Sequence, residues 1–146
     1  MKRKRIKTGL LAGLVIVAVV ASIGTVSSAV ASFSGGLVLD LQVNSPATLA
    51  SRGAAVNVPL TVLCNSTTAN VNVQVTERVG SKIAQGAVYQ QITCTGLIQP
   101  VTITVPAGVN AFKKGPAIVN ATIFACGHGT CGNVSAPATQ ITIARR

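Results

Sequence analysis

From Leu37 to Ile143 apolar and polar residues alternate with period two, and this pattern limits the fold more than any other feature of the chain. Period two sends successive side chains to opposite faces of a strand, whereas a helix needs apolar residues at three- and four-residue spacing. Leu37, Leu39, Leu41 and Val43 alternate with Val38, Asp40 and Gln42, and Asn44-Ser45-Pro46 ends that run. Val56, Val58, Leu60, Val62 and Cys64 share one parity of the next run, while Pro59 on the other parity predicts an edge position or a bulge. Val71, Val73 and Val75 alternate with Asn70, Asn72, Gln74 and Thr76 until Glu77-Arg78, and Gly80 to Gly86 reads as a loop. Val88, Ile92 and Cys94 share a parity, and Val101, Ile103 and Val105 form a run closed by Pro106-Ala107-Gly108. Val109 to Pro116 reads as the longest exposed connection after Cys94. Ala117 to Cys126 is apolar on both parities near Ile123-Phe124, which predicts a strand buried on both sides or one with a bulge. A tight turn at Gly127-His128-Gly129-Thr130 then leads to a last strand with Thr139, Ile141 and Ile143. About seven short strands with regular turn signals predict an all-β fold, a two-sheet sandwich of immunoglobulin type.

The first 31 residues break the pattern. Lys2, Arg3, Lys4, Arg5 and Lys7 form a basic cluster, and Leu10 to Ile23 is uncharged and rich in Leu, Val, Ile and Ala. Small polar residues follow, ending in Ala29-Val30-Ala31, the small-x-small pattern that signal peptidase accepts. Residues 1–31 therefore read as a secretory signal helix cut after Ala31, and 32–146 as one domain. The competing reading is an uncleaved membrane anchor over residues 8–30, since that stretch is long enough to span. Either way the β domain is placed outside, secreted or at the cell surface.

The cysteines agree with export. Cys64, Cys94, Cys126 and Cys131 all follow the signal, and an even number in a chain bound for an oxidising compartment implies two disulfides. Three pairings are open; the preferred one joins Cys64 to Cys94 and Cys126 to Cys131, whose short spacer closes easily at a hairpin end. Cys64 and Cys94 each share the parity of the core residues on their strands.

The net charge of +10 overstates the basicity of the domain, because the signal holds much of it. Beyond it, Arg52, Arg78, Lys82, Lys113, Lys114, Arg145 and Arg146 face only Asp40 and Glu77. Such an excess raises the local concentration of polyanions. Lys113, Lys114, Arg145 and Arg146 become a basic patch if the entry to the penultimate strand and the C-terminus share one end of the sandwich. Nucleic acid is not expected, since strand-binding surfaces interleave aromatic platforms with cations and the domain has only Phe33, Tyr89, Phe112 and Phe124.

The stretches RGAAVNVPLTVLC at 52–64, VQVTERVGSKIAQG at 73–86, ITCTG at 92–96, FKKGPAIVNATIFAC at 112–126 and the closing C-x4-C cover most of the domain. In their order the chain resembles small exported proteins of actinobacteria with immunoglobulin-like sandwiches. The resemblance implies that fold and a two-disulfide scheme, and carries no activity with it. The C-x4-C hairpin alone is also similar to one in secreted apoproteins that sequester enediyne chromophores. Those proteins have a second short cysteine loop, whereas Cys64 and Cys94 lie far apart in sequence.

Chemistry is scarce. Cys126, His128 and Cys131 have the reach of zinc ligands, but no fourth ligand is near and the compartment favours oxidation of the thiols, so no metal or cofactor is expected. A triad would have to combine His128 with Asp40, and Asp40 with Glu77 is the only carboxylate pair; both acids read as polar-face strand residues. Sequons at Asn65, Asn120 and Asn133 read as turn and strand polarity. The expectation is a non-enzymatic envelope or extracellular interaction module. Its partner is an anionic wall polymer, another anionic surface or a protein. The alternative is a small-molecule carrier or inhibitor using the inter-sheet cleft or the Val109–Pro116 loop.

Overall fold

The computed structural model of the chain describes residues 32–145. The signal reading, the Ala29 and Ala31 cleavage motif and the 8–30 anchor lie outside them, as does Arg146. Nine strands are found among the described residues: β1 (Ser32–Ser34), β2 (Leu37–Val43), β3 (Ala47–Ala50), β4 (Ala55–Cys64), β5 (Thr68–Val79), β6 (Lys82–Thr93), β7 (Gln99–Pro106), β8 (Gly115–Gly127) and β9 (Thr130–Ala144). A single 3-10 turn, Ser51–Gly53, stands between β3 and β4. The chain is all-β, and among the described residues no helix is long and apolar enough to cross a membrane.

Pairing follows hydrophobic parity. β4 is flanked by β7 on one side and, end to end, by β2 and β3 on the other, all antiparallel. β3 also runs parallel to β9, through Ala47 to Ile143 and Thr48 to Ala144, and β9 continues through β8 and β5 to β6. β3 thus joins two limbs of one hydrogen-bonded sheet. Leu39, Leu41, Val56, Val58 and Val62 from the first limb and Val71, Val73, Val75, Val119 and Ile123 from the second are fully buried in one core. Burying each such side chain is worth about 1.5–3 kcal/mol relative to exposure.

Several expectations change. β1 and β3 add two strands to the expected seven, because runs as short as SFS and ATLA carry too little alternation to register. Gly80 to Gly86 is not a loop: β5 continues to Val79, Gly80-Ser81 makes the turn, and β6 starts at Lys82. Pro59 lies neither at an edge nor at a bulge, since β4 is paired on both sides. Its carbonyl accepts from the Asn44 N–H at 2.9 Å, and in a strand a residue's N–H and C=O point the same way. The missing donor therefore faces the gap between β2 and β3, where no ladder bond is lost. β8 is not buried on both sides: Ile118 and Phe124 are 40% and 43% exposed on its outer face. The bulge expected there is present as a register shift against β9, between Val119 and Ala121.

Both disulfides join the cysteines paired by sequence. Cys64, fully buried at the end of β4, bonds Cys94 just beyond β6, with Cα atoms 5.3 Å apart. Cys126 and Cys131 are opposite each other at the exposed end of the β8–β9 hairpin, Cα atoms 4.0 Å apart. Two such bonds belong to an oxidising compartment.

Candidate functional site

The segment between β7 and β8, expected as an open loop, is pinned to the body. The Gln85 N–H donates to the Val109 carbonyl at 3.0 Å, and the Gln85 carbonyl accepts from Gly108 and Val109. Asn110, in the left-handed region at φ 55°, donates from its side chain to the Ile83 carbonyl at 2.7 Å. Phe112 is 2% exposed, so the centre of the supposed binding loop is a core residue. The Phe112 N–H donates to the Gly53 carbonyl at 2.8 Å, and the Lys113 N–H to Glu77 Oε2 at 2.8 Å.

Glu77 is correspondingly not a polar-face residue. It shares the inward parity of Val75, is 3% exposed, and spends its carboxylate on the loop backbone. A buried carboxylate is tolerable only when hydrogen-bonded in this way. Asp40 stays on the outer face of β2 and accepts from the Leu41 N–H at 2.8 Å.

The turn before β4 docks on the same segment. Ser51, Arg52 and Gly53 have φ of 49°, 57° and 95° in succession. Left-handed backbone costs a residue with a Cβ roughly 1–2 kcal/mol, so this turn persists only because its surroundings hold it. Gly53 is part of that hold: a Cβ there would run into the Phe112 carbonyl oxygen. Backbone thus packs on backbone, and Arg52 is carried beside Lys113 and Lys114.

The parallel β3–β9 pairing brings the C-terminal end to the same place. Arg52, Lys113, Lys114 and Arg145 line one groove of about 890 Å³ with Leu49, Ala111 and Phe112. Three of the four residues proposed as a patch are thereby together; Arg146 is outside the described residues. Arg52 is the member that sequence reasoning missed. The Arg52-Gly53 pair between two strand-like runs marks a turn, but only the tertiary fold puts that turn beside residue 112. Among the described residues no carboxylate side chain lines this groove, and Glu77, which accepts from the Lys113 N–H, is buried. Four cations thus converge from three chain segments, with a single buried anion behind them.

The other candidates stay apart. His128 forms the exposed turn of the β8–β9 hairpin with Gly129, and its flanking cysteines are bonded to each other. Among the described residues no three His, Cys, Asp or Glu side chains group as metal ligands. The Asn65 side chain is engaged at both ends, donating to the Gly36 carbonyl at 2.7 Å and accepting from the Val38 N–H at 2.8 Å. A second recess, about 590 Å³, lies at one end of the β6–β5–β8–β9 limb between Arg78, Lys82, Ile83 and Ile118. Comparison with known proteins finds no family model and no curated protein that matches the chain.

Proposed function

We propose that the chain is an exported immunoglobulin-like module that works by surface contact, holding an anionic polymer of the cell envelope in the groove of Arg52, Lys113, Lys114 and Arg145. The strand order supports the sandwich: β2, β4 and β7 form one layer, β6, β5, β8 and β9 the other, and β3 passes from one to the other. The two disulfides support export, and the basic N-terminal cluster ahead of an apolar run supports the secretory route.

The observation that carries the binding reading is the convergence of four cations on a recess that no acidic side chain lines among the described residues. A long polyanion fits it better than a small acid, because Arg52, the Lys113-Lys114 pair and Arg145 come from three segments and can meet different charges along a chain.

The test is retention on purified anionic wall material at low salt. Changing Arg52, Lys113, Lys114 and Arg145 together to glutamine is expected to weaken retention at least tenfold, about 1.4 kcal/mol. Arg78→Gln with Lys82→Gln, which removes cations elsewhere, is expected to leave most of it. The same loss per cation removed in the two variants overturns the reading, since binding would then follow total charge and not the groove.

A further inference from the structure

The recess at one end of the β6–β5–β8–β9 limb combines exposed aliphatic side chains with cations. Register places Arg78 opposite Ile83 and Thr76 opposite Ile118, all on the outer face of the limb, with Gln140 across from Ile118 on β9. Pro116 shares the outward parity of Ile118 on β8. Ile83 and Ile118 are 57% and 40% exposed, so two large aliphatic side chains flank β5 from both sides and stay uncovered.

The β5–β6 turn supplies the charge. Arg78 and Lys82 stand on either side of Gly80-Ser81, and Arg78 leans toward the turn, its Nε donating to the Gly80 carbonyl at 3.3 Å. Among the described residues neither cation makes another side-chain hydrogen bond or ion pair. Leaning that way, Arg78 leaves the space over Thr76 open, and the recess of about 590 Å³ has the size of a small-molecule site. The one acid among its lining residues, Glu77, is buried and accepts from the Lys113 N–H.

Each half of this surface is weak by itself. Two solvated cations hold a lone anion by little, because water and salt screen them. An uncharged apolar molecule would cover the isoleucines and draw Arg78 and Lys82 out of water unpaired. A molecule with an apolar body and one anionic end satisfies both.

We propose that this recess binds a free fatty acid, its chain lying over Thr76 between Ile83 and Ile118 and its carboxylate held by Arg78 and Lys82 at the turn. Charge complementarity selects the head: two unpaired cations border the opening, and the terminal amino groups of a guanidinium take a carboxylate with paired N–H donors. A membrane is the wrong source for it. A bilayer presents its headgroups first and keeps its chains beneath them, whereas a single molecule can lay its chain along the sheet face. The inference does not rest on the basic groove.

The test uses protein exported from cells that express the full chain, titrated by calorimetry with dodecanoate below the concentration at which it forms micelles. The parent is expected to bind one dodecanoate with a Kd on the order of 100 μM, and dodecanol or dodecyltrimethylammonium at least tenfold more weakly. Arg78→Gln with Lys82→Gln is expected to weaken dodecanoate at least tenfold. Thr76→Phe, which fills the floor and keeps both charges, is expected to do the same. These positions face outward, so the melting temperature should hold; Ile83→Ser, exposed on the edge strand, is the second check on the apolar side. Changing Arg52, Lys113, Lys114 and Arg145 together to glutamine is expected to leave the affinity within twofold. Dodecanol binding as tightly as dodecanoate overturns the proposal, as does dodecanoate binding that survives Thr76→Phe and Ile83→Ser. So does a parent that ignores dodecanoate, whether it takes an acidic peptide with leucine side chains or a second copy on the same face.

Discussion

Replacing Cys64 and Cys94 together by alanine is expected to cost more stability than any change at the other disulfide. The bond joins residues separated by 30 in sequence, for which the loop-entropy estimate is about 3.5 kcal/mol. Cys64 is in addition fully buried, so the shortened side chain leaves an unfilled space beside the end of β4. In a domain whose whole stability is about 5–15 kcal/mol, this lowers the melting temperature by on the order of 15 °C. The same change at Cys126 and Cys131 opens a ring of separation 5 at an exposed hairpin tip, worth about 2 kcal/mol at most. The His128-Gly129 turn, left-handed at both residues, keeps that hairpin closed without the bond. Thermal unfolding of the two double variants checks the order; equal losses would show that ring size does not govern the contribution.

Phe112→Ala is expected to cost about 3–5 kcal/mol, the range for truncating a buried aromatic. Its effect should also spread beyond a cavity. The Phe112 ring passes close to Gly86 on β6, where a Cβ would meet the ring edge at 3.2 Å and run into the Pro106 carbonyl, and the Phe112 backbone rests on Gly53. Phe112 thus ties β6, through its ring, to the strained Ser51–Gly53 turn, through its backbone. Without it the amides of Phe112 and Lys113 should lose protection from hydrogen exchange first, and Arg52 should lose its fixed place beside Lys113. A cost under about 1 kcal/mol, with those amides still protected, would mean that the loop is held by its hydrogen bonds alone.

Alternation made the strands with one buried face legible. β2, β4 and β5 alternate cleanly because one side of each faces the core, and the pairing of the cysteines followed from the inward parity of Cys64 and Cys94. What stayed hidden depends on contacts distant in sequence. β3 is four residues long and is a strand because β4 and β9 both pair with it. Gly86 reads as loop composition, yet it is a strand position kept small by the approach of Pro106. Phe112 lies among Asn, Lys and Gly and has no periodic neighbours, so nothing local distinguishes it from a solvent-facing aromatic. Glu77 could have been found, since it continues the parity of Val71, Val73 and Val75; its acidity argued for solvent, and the Lys113 N–H supplied the reason to stay inside. Lys113, Lys114 and Arg145 were legible as charges, and Arg52 joins them only through the Gly53 contact with Phe112.

If the groove holds a polyanion by its four cations, the salt dependence of binding must follow those cations. With inorganic polyphosphate as the probe, log K should fall linearly with log salt, because each cation seated on a phosphate releases a counterion. Removing Arg52, Lys113, Lys114 and Arg145 one after another should flatten the line by roughly 0.7–0.9 in slope per cation, the increment known for nucleic-acid phosphates. Arg78→Gln should leave the slope nearly unchanged. A slope indifferent to the four groove residues, or binding that does not weaken with salt, would contradict the account.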